Sequence, residues 1–191
     1  MNVFSTIVAD PPWPYDSARA MPVKQELTHY AYGGNVSSQE RYGAMSIAEL
    51  RGLPVKHHVT KNAHLYLWTT NSFMVEAHEL ARAWGFIPKT ILTWVKVKKD
   101  GSPSMKTGYY FRGATEHVVF AVRGSQPLLI KEGIATAFLS ERLPHSVKPD
   151  SFFGLVEKAS PGPYLEMFAR RPRKGWTVWG NQVETDFELC R

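Results

Sequence analysis

The sequence predicts an α/β fold: a mainly parallel sheet with helices on both faces. Three observations carry this expectation. Short apolar runs such as Val3-Phe4-Ser5-Thr6-Ile7-Val8-Ala9 lack polar alternation, as strands buried on both faces do. They alternate with segments of helical period that carry start and stop signals. An acid, Asp10, closes the first of these runs, and ligands of such sheets sit at the carboxyl ends of strands. A chain of 191 residues suits one well-packed domain, taken as 1–191.

The elements follow in order. Residues 3–9 form the first strand. Residues 14–45, rich in Gly, Pro, Ser and Tyr, show no period and read as a long loop of the functional or disordered kind. Ser46-Ile47-Ala48-Glu49 is a capping box that opens a short helix, which stops before Gly52 and Pro54. Ala63 to Thr69 is a second buried strand. A helix follows from Phe73 to Trp84, with Phe73, Ala77, Leu80, Ala81 and Trp84 on one face and Gly85 at its stop. Lys89 to Val97 is the third strand, and residues 98–112 form a second loop, basic and carrying two tyrosines. Glu116 to Val122 is the fourth strand, turned by Arg123-Gly124. Residues 125–146 give no clear reading. Pro149 to Ala159 is a helix with proline in its first turn and Pro161-Gly162 past its end. Tyr164 to Ala169 and Trp176 to Trp179 are two last short strands.

Composition narrows the function classes. With 43% hydrophobic and 21% charged residues the chain is globular, and no apolar run is long enough to span a bilayer. No basic segment followed by an apolar one, the pattern of a secretory signal, opens the sequence. The single cysteine, Cys190, allows no internal disulfide and no multi-cysteine zinc site, and suits a reducing compartment. A cytoplasmic protein without a metal is expected. The net charge of +6 favours a polyanionic partner, and 13% aromatic residues offer bases to stack on as well as core.

Asp10-Pro11-Pro12-Trp13 is poor strand-ending chemistry but good site chemistry. The exocyclic nitrogen of a nucleobase is nearly planar, its lone pair drawn into the ring. Two acceptors aimed at its two N–H bonds turn that lone pair outward, toward an electrophilic methyl. Asp10 offers a carboxylate oxygen, and Pro11 a carbonyl with no competing N–H. The proline pair holds both rigidly, which is the preorganisation such a site requires. Trp13 offers a face for the base. The methyl donor is a sulfonium, delivered in line, and no covalent nucleophile is needed, which fits the remote Cys190. A strand-to-loop stop with Trp13 as a lid on the core is the structural alternative.

The sequence resembles the MT-A70 family of S-adenosylmethionine-dependent N6-adenine methyltransferases. The resemblance rests on Asp10-Pro11-Pro12-Trp13, Tyr42-Gly43-Ala44-Met45-Ser46, Leu67-Trp68-Thr69-Thr70, Trp94-Val95-Lys96, Gly113-Ala114-Thr115-Glu116-His117, His145-Ser146-Val147-Lys148-Pro149-Asp150, Glu166-Met167-Phe168-Ala169-Arg170 and Trp179-Gly180-Asn181-Gln182, all in family order. It implies a Rossmann-like class I methyltransferase fold in permuted order, catalytic strand first and cofactor strands last. It implies that Asp10, Pro11, Pro12 and Trp13 are catalytic, Asp10 meeting both the target amine and the methionine part of S-adenosylmethionine. It assigns the cofactor carboxylate to Lys148, and the ribose and adenine to Glu166, Phe168, Arg170, Asn181 and Gln182. Many members carry a segment before the catalytic strand that helps hold the cofactor's adenine, and the sequence here opens directly on that strand. Tyr42 is expected in the base pocket. His117 and His145 read as hydrogen-bonded structural histidines rather than acid–base groups.

The loops 14–45 and 98–112 flank the expected pocket, and Lys96, Lys98, Lys99, Lys106 and Arg112 are placed to meet phosphates. The basic stretch Arg171-Pro172-Arg173-Lys174 is read as nucleic-acid contact against the alternative of a solvated loop. By likeness to compact bacterial and phage members, DNA adenine is favoured over RNA. N4-cytosine methylation, and a non-catalytic nucleic-acid-binding partner of an active subunit, remain the alternatives.

Overall fold

The computed structural model of the chain describes residues 3–15, 43–105, 110–144, 147–185 and 187–189. Tyr42, Lys106, His145 and Cys190, and most of the 14–45 loop, lie outside them. Among the described residues one sheet holds β1 (Phe4–Ala9), β2 (Val59–Thr69), β3 (Ile87–Val97), β4 (Thr115–Arg123), β5 (Ala137–Glu141), β6 (Tyr164–Met167) and β7 (Trp176–Trp179). Their order across the sheet is β5-β3-β4-β2-β1-β6-β7. Only β4 runs against its neighbours, β2 and β3; every other pairing is parallel. The helices are α1 (Ile47–Gly52), α2 (Met74–Ala83) and α3 (Asp150–Ala159).

The absence of alternation in the first two strands has the expected cause. Successive strand side chains point to opposite faces. Ile7, Ala9, Leu65 and Leu67 enter a core shared with Leu50 of α1 and Ala77, Leu80 and Ala81 of α2. Val8, Tyr66 and Trp68 enter a second core with Phe152, Phe153 and Val156 of α3. Both faces are therefore apolar and both are covered, which is the Rossmann-like α/β arrangement expected. The capping box also forms: the Ser46 N–H donates to Glu49 Oε2 at 2.7 Å and Glu49 N–H donates to Ser46 Oγ at 3.2 Å.

Four local differences from the sequence reading have physical reasons. β2 starts at Val59 rather than Ala63, because main-chain pairing of Val59 with Phe4 carries the polar Thr60-Lys61-Asn62 into the strand. The helix expected from Phe73 begins as a 3-10 turn, Asn71–Phe73, before α2. β6 ends at Met167 instead of Ala169, because Phe168 adopts φ 62°, a left-handed conformation that breaks a strand. β5, in the stretch that gave no reading, is a half-exposed edge strand pairing Thr93 with Ala137, so it carries no apolar run to betray it.

The exits of β6 and β7 lie against each other. The Ala169 N–H donates to the Trp179 carbonyl at 3.0 Å, and a Cβ on Gly180 would overlap the Ala169 carbonyl oxygen. Gly180→Ala is therefore expected to cost about 1–3 kcal/mol of stability, since the obstacle is backbone and cannot rotate away. Urea unfolding would register this as a lower midpoint at unchanged slope.

Candidate active site

The site lies along the sheet edge where the parallel strands end. Asp10 follows β1, and its N–H still reaches the Met167 carbonyl of β6 at 3.4 Å. The chain then folds tightly: Trp13 N–H donates to the Pro11 carbonyl at 2.8 Å and Tyr15 N–H to the Trp13 carbonyl at 2.8 Å. Met45 N–H donates to the Pro12 carbonyl at 3.0 Å, so the segment after the long loop is pinned beside the proline pair.

A line of alternating charges backs this segment. Lys96, at the end of β3, pairs with Glu116, at the start of β4. Glu116 Oε2 is 3.2 Å from Lys148 Nζ, and Lys148 Nζ is 2.7 Å from Asp10 Oδ2. Lys148 also stands 4.9 Å over the Trp68 ring, a favourable cation–π distance. Burial alone would raise the Glu116 carboxyl, but the Lys148 and Lys96 ammoniums outweigh it and hold the group below the usual carboxylate range. Burial alone would lower Lys148; Asp10 and Glu116 outweigh that and push it up.

Two clefts open at this edge. One, of about 210 Å³, is lined by Asp10, Trp68, Lys148, Phe153, Glu166, Phe168, Arg170, Arg171 and Arg173, with others. The second, of about 330 Å³, includes Asp10, Pro12, Gly43, Met45, Phe168, Arg170, Trp179, Asn181 and Gln182. Asp10, Phe168 and Arg170 border both. Glu166 is raised by burial, only partly offset by Arg173, whose Nε lies 3.0 Å from Glu166 Oε2. Arg173 also reaches Asp150 at 3.2 Å and lies over Phe153, 3.3 Å from its centroid. At the back of the first cleft the buried Trp68 Nε1 has no hydrogen-bond partner among the described residues. Among those residues no group of three or more potential ligands could hold a metal ion, and no helix is long and apolar enough to cross a membrane.

The structure thus gathers Asp10, Pro12, Lys148, Glu166, Phe168, Arg170, Asn181 and Gln182 around two adjoining clefts. Three expectations are corrected. Trp13 is 4% exposed, stacks on Phe73 at 5.4 Å and donates its indole N–H to the Trp68 carbonyl at 3.1 Å. It is core, not an open wall for a base. Lys96 is 6% exposed and tied to Glu116, with its ammonium 4.7 Å over the Trp94 ring, so it does not face phosphates. Arg171 and Arg173 are engaged with Asp150 and Glu166, so the stretch 171–174 is in part an ion-pair network rather than a bare phosphate contact. Pro11 is buried, lines neither cleft, and its carbonyl already accepts from Trp13; a second lone pair remains on it. Lys98, Lys99 and Arg112 are exposed. His117 sits between Thr93 Oγ1 at 3.1 Å and Thr115 Oγ1 at 3.4 Å, and burial lowers its pKa, as befits a structural histidine.

Sequence reasoning gave no role to Glu116 or Tyr15. Glu116 had a signal, an acid opening an otherwise apolar strand. Tyr15 is the aromatic that stands open beside Asp10: it is 45% exposed, edge-on to Phe73 at 4.9 Å, with its hydroxyl 2.9 Å from Thr70 Oγ1. Burial of the hydroxyl raises its pKa, against the Thr70 hydrogen bond, and the charges of Asp10 and Glu116 raise it further.

A mixed sheet with one reversed strand, two covered faces and an acid at the central strand end defines a Rossmann-like α/β protein with a polar two-cleft site. The MT-A70 family profile matches residues 4–182, and the chain belongs to that family. It is 26% identical over 190 residues to the Drosophila melanogaster N(6)-adenosine-methyltransferase MT-A70-like protein, covering 96% of this chain and 28% of that protein. It is 27% identical over 187 residues to the Type II methyltransferase M.MunI of a Mycoplasma species, covering 94% of this chain and 78% of that one. It is 28% identical over 200 residues to the human N(6)-adenine-specific methyltransferase METTL4, covering 95% and 38%. The chain thus spans 28% of the first of these relatives.

The charge line and the buried indole each lead to an expected outcome. Glu116 is held below its ordinary pKa, so its ion pairs stabilise the fold above the usual carboxylate range and are lost as pH falls through the lowered value. Glu116→Gln leaves Lys96 and Lys148 facing each other and is expected to cost about 3 kcal/mol near neutral pH. Urea midpoints taken from neutral pH downward should show the gap to the parent chain closing as pH falls below the usual carboxylate range; a constant gap would contradict the ion-pair account. Trp13→Phe keeps the ring on Phe73 and loses the bond to the Trp68 carbonyl, at a cost of about 1 kcal/mol. Its affinity for a nucleic-acid ligand should equal that of the parent, whereas a base-stacking role would make it fall.

Proposed function

We propose that the chain transfers a methyl group from S-adenosylmethionine to the exocyclic N6 of adenine in nucleic acid, DNA in preference to RNA. The observation that carries this reading is Asp10, set where the two clefts meet and anchored through Oδ2 by Lys148. With Oδ2 held, Oδ1 is the oxygen we assign to accept from the amine, drawing its lone pair out of the ring plane. Tyr15 replaces Trp13 as the face on which the base rests. The Pro11 carbonyl accepts the second N–H through its remaining lone pair.

The residues present fit the cofactor. Glu166, Asn181 and Gln182 bring acceptors for its hydroxyls and amines, Phe168 and Trp179 bring apolar surface, and Lys148 and Arg173 bring cations for its carboxylate. When bound, S-adenosylmethionine supplies an electrophilic sulfonium methyl. Glu166 meets Arg173 through Oε2, and its second oxygen is the acceptor for hydroxyls. The preference for DNA rests on the likeness to the Type II methyltransferase M.MunI, of which the match covers 78%.

The test is methyl transfer to DNA and RNA oligonucleotides of one sequence, followed by nucleoside mass spectrometry. N6-methyladenine is expected, more from DNA. Asp10→Asn leaves Lys148 its Glu116 partner, so the chain should still unfold cooperatively well above the assay temperature, and should lose transfer by about 10²–10³-fold. N4-methylcytosine as the product, or no product from either polymer with cofactor bound, would sink the reading.

A further inference from the structure

Two neighbouring aromatic side chains stand almost entirely in solvent: Tyr110 is 86% exposed and Phe111 is 94% exposed. A core residue of this size contributes by being covered, and a pair left bare on one short segment marks a contact surface. Their surroundings say what kind of contact. Arg112 follows directly and is exposed. Across the rim, Lys98 and Lys99 are exposed on a tight turn in which Lys98 N–H donates to the Ser102 carbonyl at 2.8 Å and Gly101 N–H to the Lys98 carbonyl at 2.9 Å. The acid in that turn, Asp100, is spent on Ser102, accepting from its N–H at 2.9 Å and its hydroxyl at 2.6 Å.

Both groups issue from the strands that carry the site. Lys96 N–H donates to the Ala114 carbonyl at 2.8 Å, so β3 and β4 deliver Lys98 and Arg112 to the same edge. Lys96 and Glu116, further in along the same two strands, lead through Lys148 to Asp10. The exposed patch therefore lies on the same edge of the sheet as Asp10 and Lys148, which border the clefts. Exposed rings between exposed cations match a strand of nucleotides, whose bases offer π-faces and whose phosphates offer charge. They do not match the core of a protein interface, which is depleted in lysine.

We propose that Tyr110 and Phe111 form a stacking platform for unpaired bases flanking the target, with Lys98, Lys99 and Arg112 on their phosphates, so that the chain binds single-stranded nucleic acid in preference to duplex. This rests on the reading of the clefts as a nucleic-acid methyltransferase site and adds the strandedness of the substrate. Stacking needs a splayed strand, since a paired base has both faces covered by its neighbours.

The test is fluorescence anisotropy with a labelled oligothymidine, about three quarters of the upper site size of one single-strand-binding module, and a duplex of mixed sequence. Oligothymidine has no adenine, so the outcome does not depend on methyl transfer. The parent chain should bind the single strand more tightly. Tyr110→Ala/Phe111→Ala should weaken that binding by about tenfold or more at fixed salt, with duplex binding and melting temperature little changed. Phe111→Trp should retain it. Lys98→Ala/Lys99→Ala should instead flatten the salt dependence, by about 0.7 in log–log slope for each phosphate that is no longer neutralised. Equal binding of the single strand by parent and double alanine variant would overturn the proposal. So would an effect seen only as a change in self-association by sedimentation, which would make the rings an interface between copies. Loss of single-strand binding in a chain that makes no N6-methyladenine would keep the platform and refute the methyltransferase reading.

Discussion

Lys96, Glu116, Lys148 and Asp10 run in alternating charge along one edge of the sheet, and the geometry of the clefts depends on that line holding. Each charge is largely withdrawn from water, which is costly unless a partner is near. Here each inner member has two partners. Glu116 sits between two ammoniums and Lys148 between two carboxylates. The reversed strand makes this possible. In a wholly parallel sheet every strand would bring its last residues to this edge. Because β4 runs the other way, its opening residues, Glu116 among them, arrive beside the closing residues of β3 and the acid after β1.

That dependence explains which parts of the molecule were legible in the sequence. Strands buried on both faces announce themselves by apolar runs, so β1, β2, β4 and the short β6 and β7 were visible, and the helices by period and caps. β5 was not, because an edge strand with alternate exposure needs no apolar run. The direction of β4 was not visible either, since strand direction depends on the connection and not on composition. The site showed the same division. Asp10, Lys148, Glu166, Asn181 and Gln182 were legible as a set of motifs, and the fold brings them to adjoining clefts. Glu116 lay within a motif and had no role until β4 was seen to be reversed.

Trp13 shows why residue type alone misleads at a strand end. A large aromatic after two prolines suits either a wall for a base or a plug for the core. The two short turns at Pro11 and Trp13 decide it: they send the indole inward to the Trp68 carbonyl and Phe73, and bring the next aromatic, Tyr15, to the surface. The prolines are what make the turns rigid, so the stretch keeps its stiffness while its open face moves two residues along.

The same ion pairs bear on how any zwitterionic ligand enters. Lys148, Arg171 and Arg173 each already have a carboxylate partner in the folded chain. An incoming carboxylate does not meet bare positive charge; it exchanges with Asp10, Glu116, Glu166 or Asp150. The free energy of such an exchange is a difference between two sets of charge-assisted hydrogen bonds, each strong, and is small compared with either. Binding then depends on what the exchange leaves behind. Lys148 and Arg173 each already hold two carboxylates at once, so a cation here can share its donors between partners. Among the described residues the Trp68 indole N–H has no hydrogen-bond partner, and Glu166 is shifted upward by burial despite Arg173. Both Trp68 and Glu166 border the first cleft, beside Lys148 and Arg173.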